Sequence, residues 1–379
     1  MKKISAAVSA VLLFSGAFFC AANAQSSVAE AAGIQISIDG NVYVGGSSTK
    51  AEDKDAEVKN AVNYGANIAF TKEVVKDGSL VLQIRGGDAD TIIELGKYRG
   101  GTNDNAYGHN GSNDAWIKYL YYTQGLFDNK VSITFGKADA LSSANDAGAS
   151  VGSFFTNDAT VDILDTWDLE TPYTVLLSVS PIDILSVSYS YSTQNSYPQW
   201  DSSQDAYLDP FKSGFNAIEV KLSPIKDGNY RIGYWSSNQP TNVYKEGGID
   251  QSADKTGASG FWLSFDQSLN GYLTLFVRFG TRFDKTMYGG AGTSFQGGAK
   301  IPGASWSRDN DYLFLGVGQA SNIKDITNKD YSELHFEINY SFALNANVSL
   351  VPNFQYVSID ADGKIESGYA AALFAAFKF

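Results

Sequence analysis

The chain ends YAAALFAAFKF (369–379), and counting back from the last residue every second position is apolar or small: Phe379, Phe377, Ala375, Leu373, Ala371 and Tyr369. Alternation with period two marks a strand whose two faces meet different surroundings. The same alternation, bounded by clusters of Gly, Asn, Asp and Ser, predicts sixteen strands along the chain. They span 33–44, 60–70, 79–86, 114–124, 130–137, 173–180, 184–192, 214–222, 229–236, 260–267, 271–280, 293–300, 311–319, 333–342, 347–357 and 369–379. The segment 293–300 has the weakest pattern, and helical periodicity is nearly absent.

The connections between these strands alternate in length. Every odd-numbered connection is longer than every even-numbered one, and the longest is the third odd one, 138–172. A soluble sandwich has no reason to alternate in this way. An up-and-down barrel in an outer membrane does, with long loops outside and short turns in the periplasm. The even strand count puts both termini on the periplasmic side, and strands of about ten residues suit a tilted crossing of the hydrocarbon core. The predicted fold class is therefore all-β: a transmembrane, antiparallel, up-and-down barrel of sixteen strands, with the third outer loop folded into the pore.

Side-chain faces agree. In 184–192, Leu185, Val187, Tyr189 and Tyr191 take one face and Ser186, Ser188 and Ser190 the other. In 333–342, Leu334, Phe336, Ile338, Tyr340 and Phe342 oppose His335, Glu337, Asn339 and Ser341. The polar face also carries Arg85, Lys118, Glu219, Lys221, Arg231, Arg278 and Glu337. Charges are costly in a packed core and cheap in a wet lumen, so the apolar face is turned to lipid. A barrel of this strand number is wide enough for an aqueous channel. The final strand must close against the first so that no edge remains. A one-residue bulge would move every position beyond it to the opposite face.

Composition narrows the setting. Residues 1–24 hold Lys2 and Lys3, an apolar run and AANA before Gln25, which reads as a cleaved signal peptide; 25–379 is then a single barrel domain in the outer membrane. The one cysteine, Cys20, would leave with that signal, so no disulfide is expected. A net charge of −13 argues against a nucleic-acid partner.

Three tryptophans share parity with lumen residues: Trp116 with Lys118, Trp235 with Arg231, and Trp262 with Asp266. Near the outer strand ends their flat faces would line the channel beside charged groups. The alternative is an aromatic girdle at the membrane edge. The third outer loop carries Asp139, Asp146, Asp158, Asp162, Asp165, Asp168 and Glu170, with no Lys or Arg. Folded inward, Asp146, Asp158, Asp162 and Asp165 would face lumen bases at a constriction and set up a transverse field; the alternative is a solvated outer loop. No metal site or cofactor is expected. Calcium is left open by the clustered carboxylates, although no spacing matches a calcium loop. His109 and His335 are the only histidines, and neither stands in a catalytic pattern, so no enzyme is expected.

From Asp114 onward the chain resembles the carbohydrate-selective porins of the OprB type. YYTQGLFDNKVSITFGKADA (121–140) is similar to that family's strand–turn–strand, and SSANDAGASVGSFFTNDA (142–159) to its following loop. NAIEVKLSPI, YRIGYW and SFDQSLNGYLTLFVRFG continue in the family's order; RDNDYLFLGVGQA (308–320) and VSLVPNFQYV (348–357) are the most specific pieces. The resemblance implies a sixteen-stranded outer-membrane porin that passes small carbohydrates by passive diffusion. The rivals are a general, weakly cation-favouring diffusion pore and a barrel adhesin or receptor. The expected partners are small sugars, outer-membrane lipid and the barrel-assembly machinery, since a terminal Phe379 resembles its recognition signal. The sequence leaves monomer and homotrimer both open.

Overall fold

The computed structural model describes residues 33–50, 57–88, 115–139, 141, 173–193, 199–201, 206–208, 214–241, 244–245, 248–249, 256–283, 292–324, 330–361 and 363–379. The signal segment 1–24 lies outside these residues. Sixteen strands form one closed antiparallel barrel. In chain order they are β1 (Ile34–Lys50), β2 (Glu57–Val75), β3 (Gly78–Asp88), β4 (Ala115–Leu126), β5 (Val131–Lys137), β6 (Tyr173–Ile182), β7 (Leu185–Thr193) and β8 (Gly214–Leu222). Then follow β9 (Gly228–Thr241), β10 (Thr256–Leu269), β11 (Leu273–Arg282), β12 (Thr293–Pro302), β13 (Tyr312–Lys324), β14 (Asp330–Ala343), β15 (Val348–Ala361) and β16 (Lys364–Lys378). Each pairs with its sequence neighbour, and β16 pairs with β1. Among the described residues no helix is long and apolar enough to cross a membrane.

The predicted alternation sets which way each side chain points. Along β14, Leu334, Phe336 and Ile338 are exposed on the outer wall, whereas Glu333, His335, Glu337 and Asn339 point inward and are buried. Along β7, Tyr189 and Tyr191 are exposed and Ser190 and Ser192 buried. Lipid-facing apolar groups outside and polar groups inside invert a soluble barrel, as an aqueous lumen requires.

Two expectations need correction. Several strands run past their apolar stretch, mostly at the outer end; β15 and β16 continue until only 362–363 connects them. That outer connection is shorter than the inner one between β12 and β13, 303–311, so the strict length rule fails there. Once a register is closed, backbone pairing continues beyond the membrane, where side-chain polarity costs nothing. Two further short hairpins, 199–201 with 206–208 and 244–245 with 248–249, stand apart from the barrel.

The second correction concerns β4. Gln83 pairs with Tyr119 and Ile84 with Ile117, so Lys118 is an extra residue in a bulge. Trp116 keeps its place opposite Arg85. Beyond the bulge the odd positions Tyr119, Tyr121 and Thr123 turn inward instead of the even ones, while Leu120 is exposed on the lipid side. Parity carried through the bulge would misplace every later residue of the strand.

The inner turn 303–311 is a tied knot. The Asp311 carboxylate accepts from Arg308 Nε and Nη2, from the Tyr340 hydroxyl, and from the Ala343 N–H at 3.0 Å. The Arg308 bond comes first among the causes that hold its carboxyl down at about 2, below the ordinary 3.8. A carboxyl whose folded pKa is depressed adds stability that is fully present above the ordinary value and is lost as pH falls through the folded one. Asp311→Asn should therefore lower the urea midpoint of the folded barrel at pH 5 to 7. The gap to the wild type should close progressively between about pH 4 and pH 2, and equilibrium unfolding in vesicles across that range measures it.

Candidate functional site: a charged belt in the barrel lumen

Four adjacent strands place opposite charges side by side on the inner wall. Arg231 on β9 sends Nη1 to Asp266 Oδ2 on β10 at 3.1 Å, and its Nε lies 3.9 Å from Glu219 Oε1 on β8. Arg278 on β11 donates Nη2 to Asp266 Oδ1 at 2.9 Å. Asp266 thus bridges two guanidinium groups, one from each neighbouring strand. The register explains the reach: Arg231 and Arg278 both lie opposite Ser264, a side chain small enough to leave the space between them open. Lys221 lies opposite Arg231 at the periplasmic edge of the belt.

On the outer side of the belt, two tryptophans are fitted by a reciprocal device. Trp262 pairs with Gly233, and Trp235 pairs with Gly260. A Cβ on Gly233 would stand 2.0 Å from the Trp262 ring, so that ring lies flat across a position where only glycine fits. Crossing Gly233, Trp262 donates Nε1 to Glu219 Oε2 at 3.3 Å, two strands away. Trp235 lies over Gly260 and stacks on Phe215, with ring centres 5.7 Å apart at 17°. Both tryptophans face inward, as parity predicts. Neither offers an open ring face: each is 0% exposed, in a cluster with Phe215, Ala217, Ala258 and Leu141. The loop residue they pack against is Leu141.

That loop turns inward from its first residues. The Thr174 hydroxyl donates to the Ala138 carbonyl at 3.1 Å, and the Leu141 N–H donates to Ser190 Oγ at 3.3 Å. The chain leaves β5 and by Leu141 has crossed to residues of β8, β9 and β10. The candidate constriction acids Asp146, Asp158, Asp162 and Asp165 lie outside the described residues. Asp139, which is described, accepts from the Tyr119 hydroxyl at 2.7 Å. Beneath the loop's path the inner wall of β6 and β7 is lined with hydroxyls, including Thr174 with Ser192 at 2.9 Å and Ser178 with Ser188 at 2.8 Å.

The remaining candidates sit elsewhere. Arg85 donates Nε to Asn67 Oδ1 at 2.8 Å, and Asn67 donates to Asp39 Oδ2 at 2.9 Å. This group belongs to β1–β3, with Trp116 opposite Arg85. Since β3 and β11 are half the strand order apart, Arg85 and Arg278 stand on opposing walls. Lys118 places Nζ 4.7 Å above the Tyr119 ring. Glu337 accepts from Asn353 on the neighbouring strand, and His335 Nε2 lies 3.1 Å from Glu333 Oε2. Asp266, Phe215, Leu141 and Tyr119 are the participants the candidate set lacks. The repeated tripeptides Gly233-Tyr234-Trp235 and Gly260-Phe261-Trp262, on successive strands, are the signal that would have found the reciprocal pair.

The sequence model of the carbohydrate-selective porin, OprB family, matches residues 186–365, which bears out the resemblance over β7–β15 and takes in the whole charged belt. No curated protein matches the chain by sequence. Among solved structures the chain is similar to OprB of Pseudomonas putida, with a TM-score of 0.67 at 17% identity, covering 93% of this chain and 96% of that one. It is also similar to the outer-membrane channel DcaP of Acinetobacter baumannii (TM-score 0.59, 12% identity, 92% and 98% covered). A third is an anion-selective porin from Comamonas acidovorans (TM-score 0.56, 10% identity, 91% and 100% covered). The fold is that of outer-membrane porins.

The belt's arithmetic of charge is open to test. Arg231→Ala should move the reversal potential in a KCl gradient toward cations, and Asp266→Asn should move it toward anions. Asp266→Asn should also cost about 1–3 kcal/mol of stability, since it weakens two charge-assisted bonds at once. Planar-bilayer recordings and urea unfolding measure the two effects. Unshifted potentials in both variants would mean the belt does not face the conducting path.

Proposed function

We propose that this porin passes small, uncharged sugars by passive diffusion, and that the belt of Glu219, Arg231, Asp266 and Arg278 is where it favours them. The alternation of acid and base on neighbouring strands carries this reading. Fixed charges of both signs, held within 3.1 Å of each other at Asp266, oppose the passage of either ion sign. Arg231, whose side chain is 13% exposed, presents donors to a solute rich in hydroxyls, and the buried Asp266 and Glu219 hold it in place. A sugar crossing this section exchanges part of its water shell for the Arg231 guanidinium and the half-buried Ser178 and Ser188 hydroxyls of β6 and β7. A lone ion gains at one wall group and loses at the next.

The third outer loop, seated on Trp235 and Trp262 through Leu141, narrows the lumen at that height in this scheme. Width and oriented polarity then act together, with no energy input and no covalent step. The match to the carbohydrate-selective family over residues 186–365 supports the substrate class.

Single-channel conductance of the refolded protein, titrated with glucose and then maltose, tests the proposal. Open steps should fall as sugar is added at millimolar levels. Asp266→Asn should weaken that block by about tenfold, the loss expected for one charge-assisted hydrogen bond. Steps indifferent to sugar in the wild type would leave a general diffusion pore.

A further inference from the structure

The inner ends of the strands are joined by tight turns with one exception, the knot 303–311, and that knot presents its polar groups on the lipid side of the wall. Tyr340 and Phe342 share the outward face of β14 with the exposed Ile338 and Phe336. Trp306 donates Nε1 to the Tyr340 hydroxyl at 3.0 Å, and its ring lies 6.1 Å from the Tyr340 ring. Trp and Tyr at the edge of an apolar band mark the level of the lipid headgroups. At the same level the Arg308 guanidinium lies 4.1 Å over the Phe342 ring. Its Nε and one Nη2 are taken by Asp311, and Nη2 also reaches the Ala343 carbonyl at 3.2 Å. Nη1 makes no hydrogen bond among the described residues, and the side chain is 41% exposed.

A guanidinium held flat on a lipid-facing ring, with one edge fixed and the other turned out, is built to take an oxyanion. In the periplasmic leaflet the oxyanion at that depth is the phosphate of a phospholipid. We propose that Arg308, with Trp306 and Tyr340, forms a binding site for one phospholipid headgroup on the outer wall of the barrel. Asp311 holds the guanidinium at a fixed height and angle, the lipid phosphate bonds Nη1, and the acyl chains run outward along Phe342, Ile338 and Phe336. The fixed fork gives up little rotamer freedom on binding, which is the advantage Arg has over Lys at phosphate. The site stands independently of which solute the lumen carries.

The test uses the full mature protein refolded into vesicles of phosphatidylethanolamine, phosphatidylglycerol and the phosphate-free digalactosyldiacylglycerol. After extraction in mild detergent, native mass spectrometry counts the retained lipids. The wild type should keep one phospholipid per barrel, favoured over the galactolipid by about tenfold. The double variant Arg308→Gln with Asp311→Asn removes the charge without leaving a carboxylate unpaired. Shown to be folded by heat-dependent gel migration, it should lose the preference, and Lys378→Gln at the same rim should keep it. Should the double variant fail to fold, Arg308→Lys, which preserves the ion pair, must reduce the preference severalfold. Retained lipid that mirrors the vesicle composition would overturn the site. So would a folded double variant that still prefers phospholipid, or an equal loss in Lys378→Gln.

Discussion

Barrel closure is the condition on which everything else in this molecule depends. In hydrocarbon every backbone donor and acceptor must find a partner within the protein, so a sheet can cross a membrane only if its first and last strands meet. Here β16 runs antiparallel to β1 from Ser367 opposite Lys50 to Lys378 opposite Asp39. The final residue completes the ladder: the Phe379 N–H donates to the Ile38 carbonyl at 2.7 Å, and the Ile38 N–H donates to the Phe379 carbonyl at 2.9 Å. The Phe379 amide is thus part of the seam. With the ring closed, the pleat fixes which side chains see lipid and which see the lumen, and the charged belt can exist only on the second face.

Closure also restricts how the lumen can be furnished. Neighbouring inward side chains arise from adjacent strands about 5 Å apart, so a large ring can lie flat on the wall only where the next strand offers no side chain. Gly233 under Trp262 and Gly260 under Trp235 are that provision, and each Trp–Gly pair is in direct register. The glycines let two tryptophans lie against the wall instead of projecting into the channel, and the flattened rings form the apolar seat that Leu141 occupies. A side chain at either glycine would collide with the ring that lies over it. Polar and apolar wall functions are therefore stacked along the barrel axis: loop seat toward the outside, charge belt below it.

How much of this was legible in the sequence differs by level. Period-two alternation gave the strand number, the order and the inward set on β7–β15, because the register shifts of these strands lie past Ser237 and Ala320, beyond the spans the alternation marks, and each face has one solvent. It failed on β4, where the bulge at Lys118 shifts the inward set to Tyr119 and Tyr121; a bulge has no compositional mark strong enough to read from one chain. Boundaries failed where strands continue past the membrane, since pairing there is carried by backbone alone. Parity placed Arg231, Arg278, Glu219, Trp235 and Trp262 on one face, but their convergence depends on inter-strand register. Arg85 and Trp116, equally inward by parity, belong to the opposing wall.

The tryptophans show most clearly why a face is not a function. Alternation leaves both open aromatic platforms and a membrane-edge girdle possible for an inward Trp beside a charge. Burial decides otherwise, because a ring that already has Leu141 and Phe215 against it has no free face for a sugar to stack on. The same measure divides the belt: Arg231 keeps 13% of its side chain exposed, while Arg278, Asp266 and Glu219 are buried in the wall. Paired charges on neighbouring strands attract neither ion sign strongly. The aromatic residues hold Leu141, at the start of the loop, on the outer side of the belt.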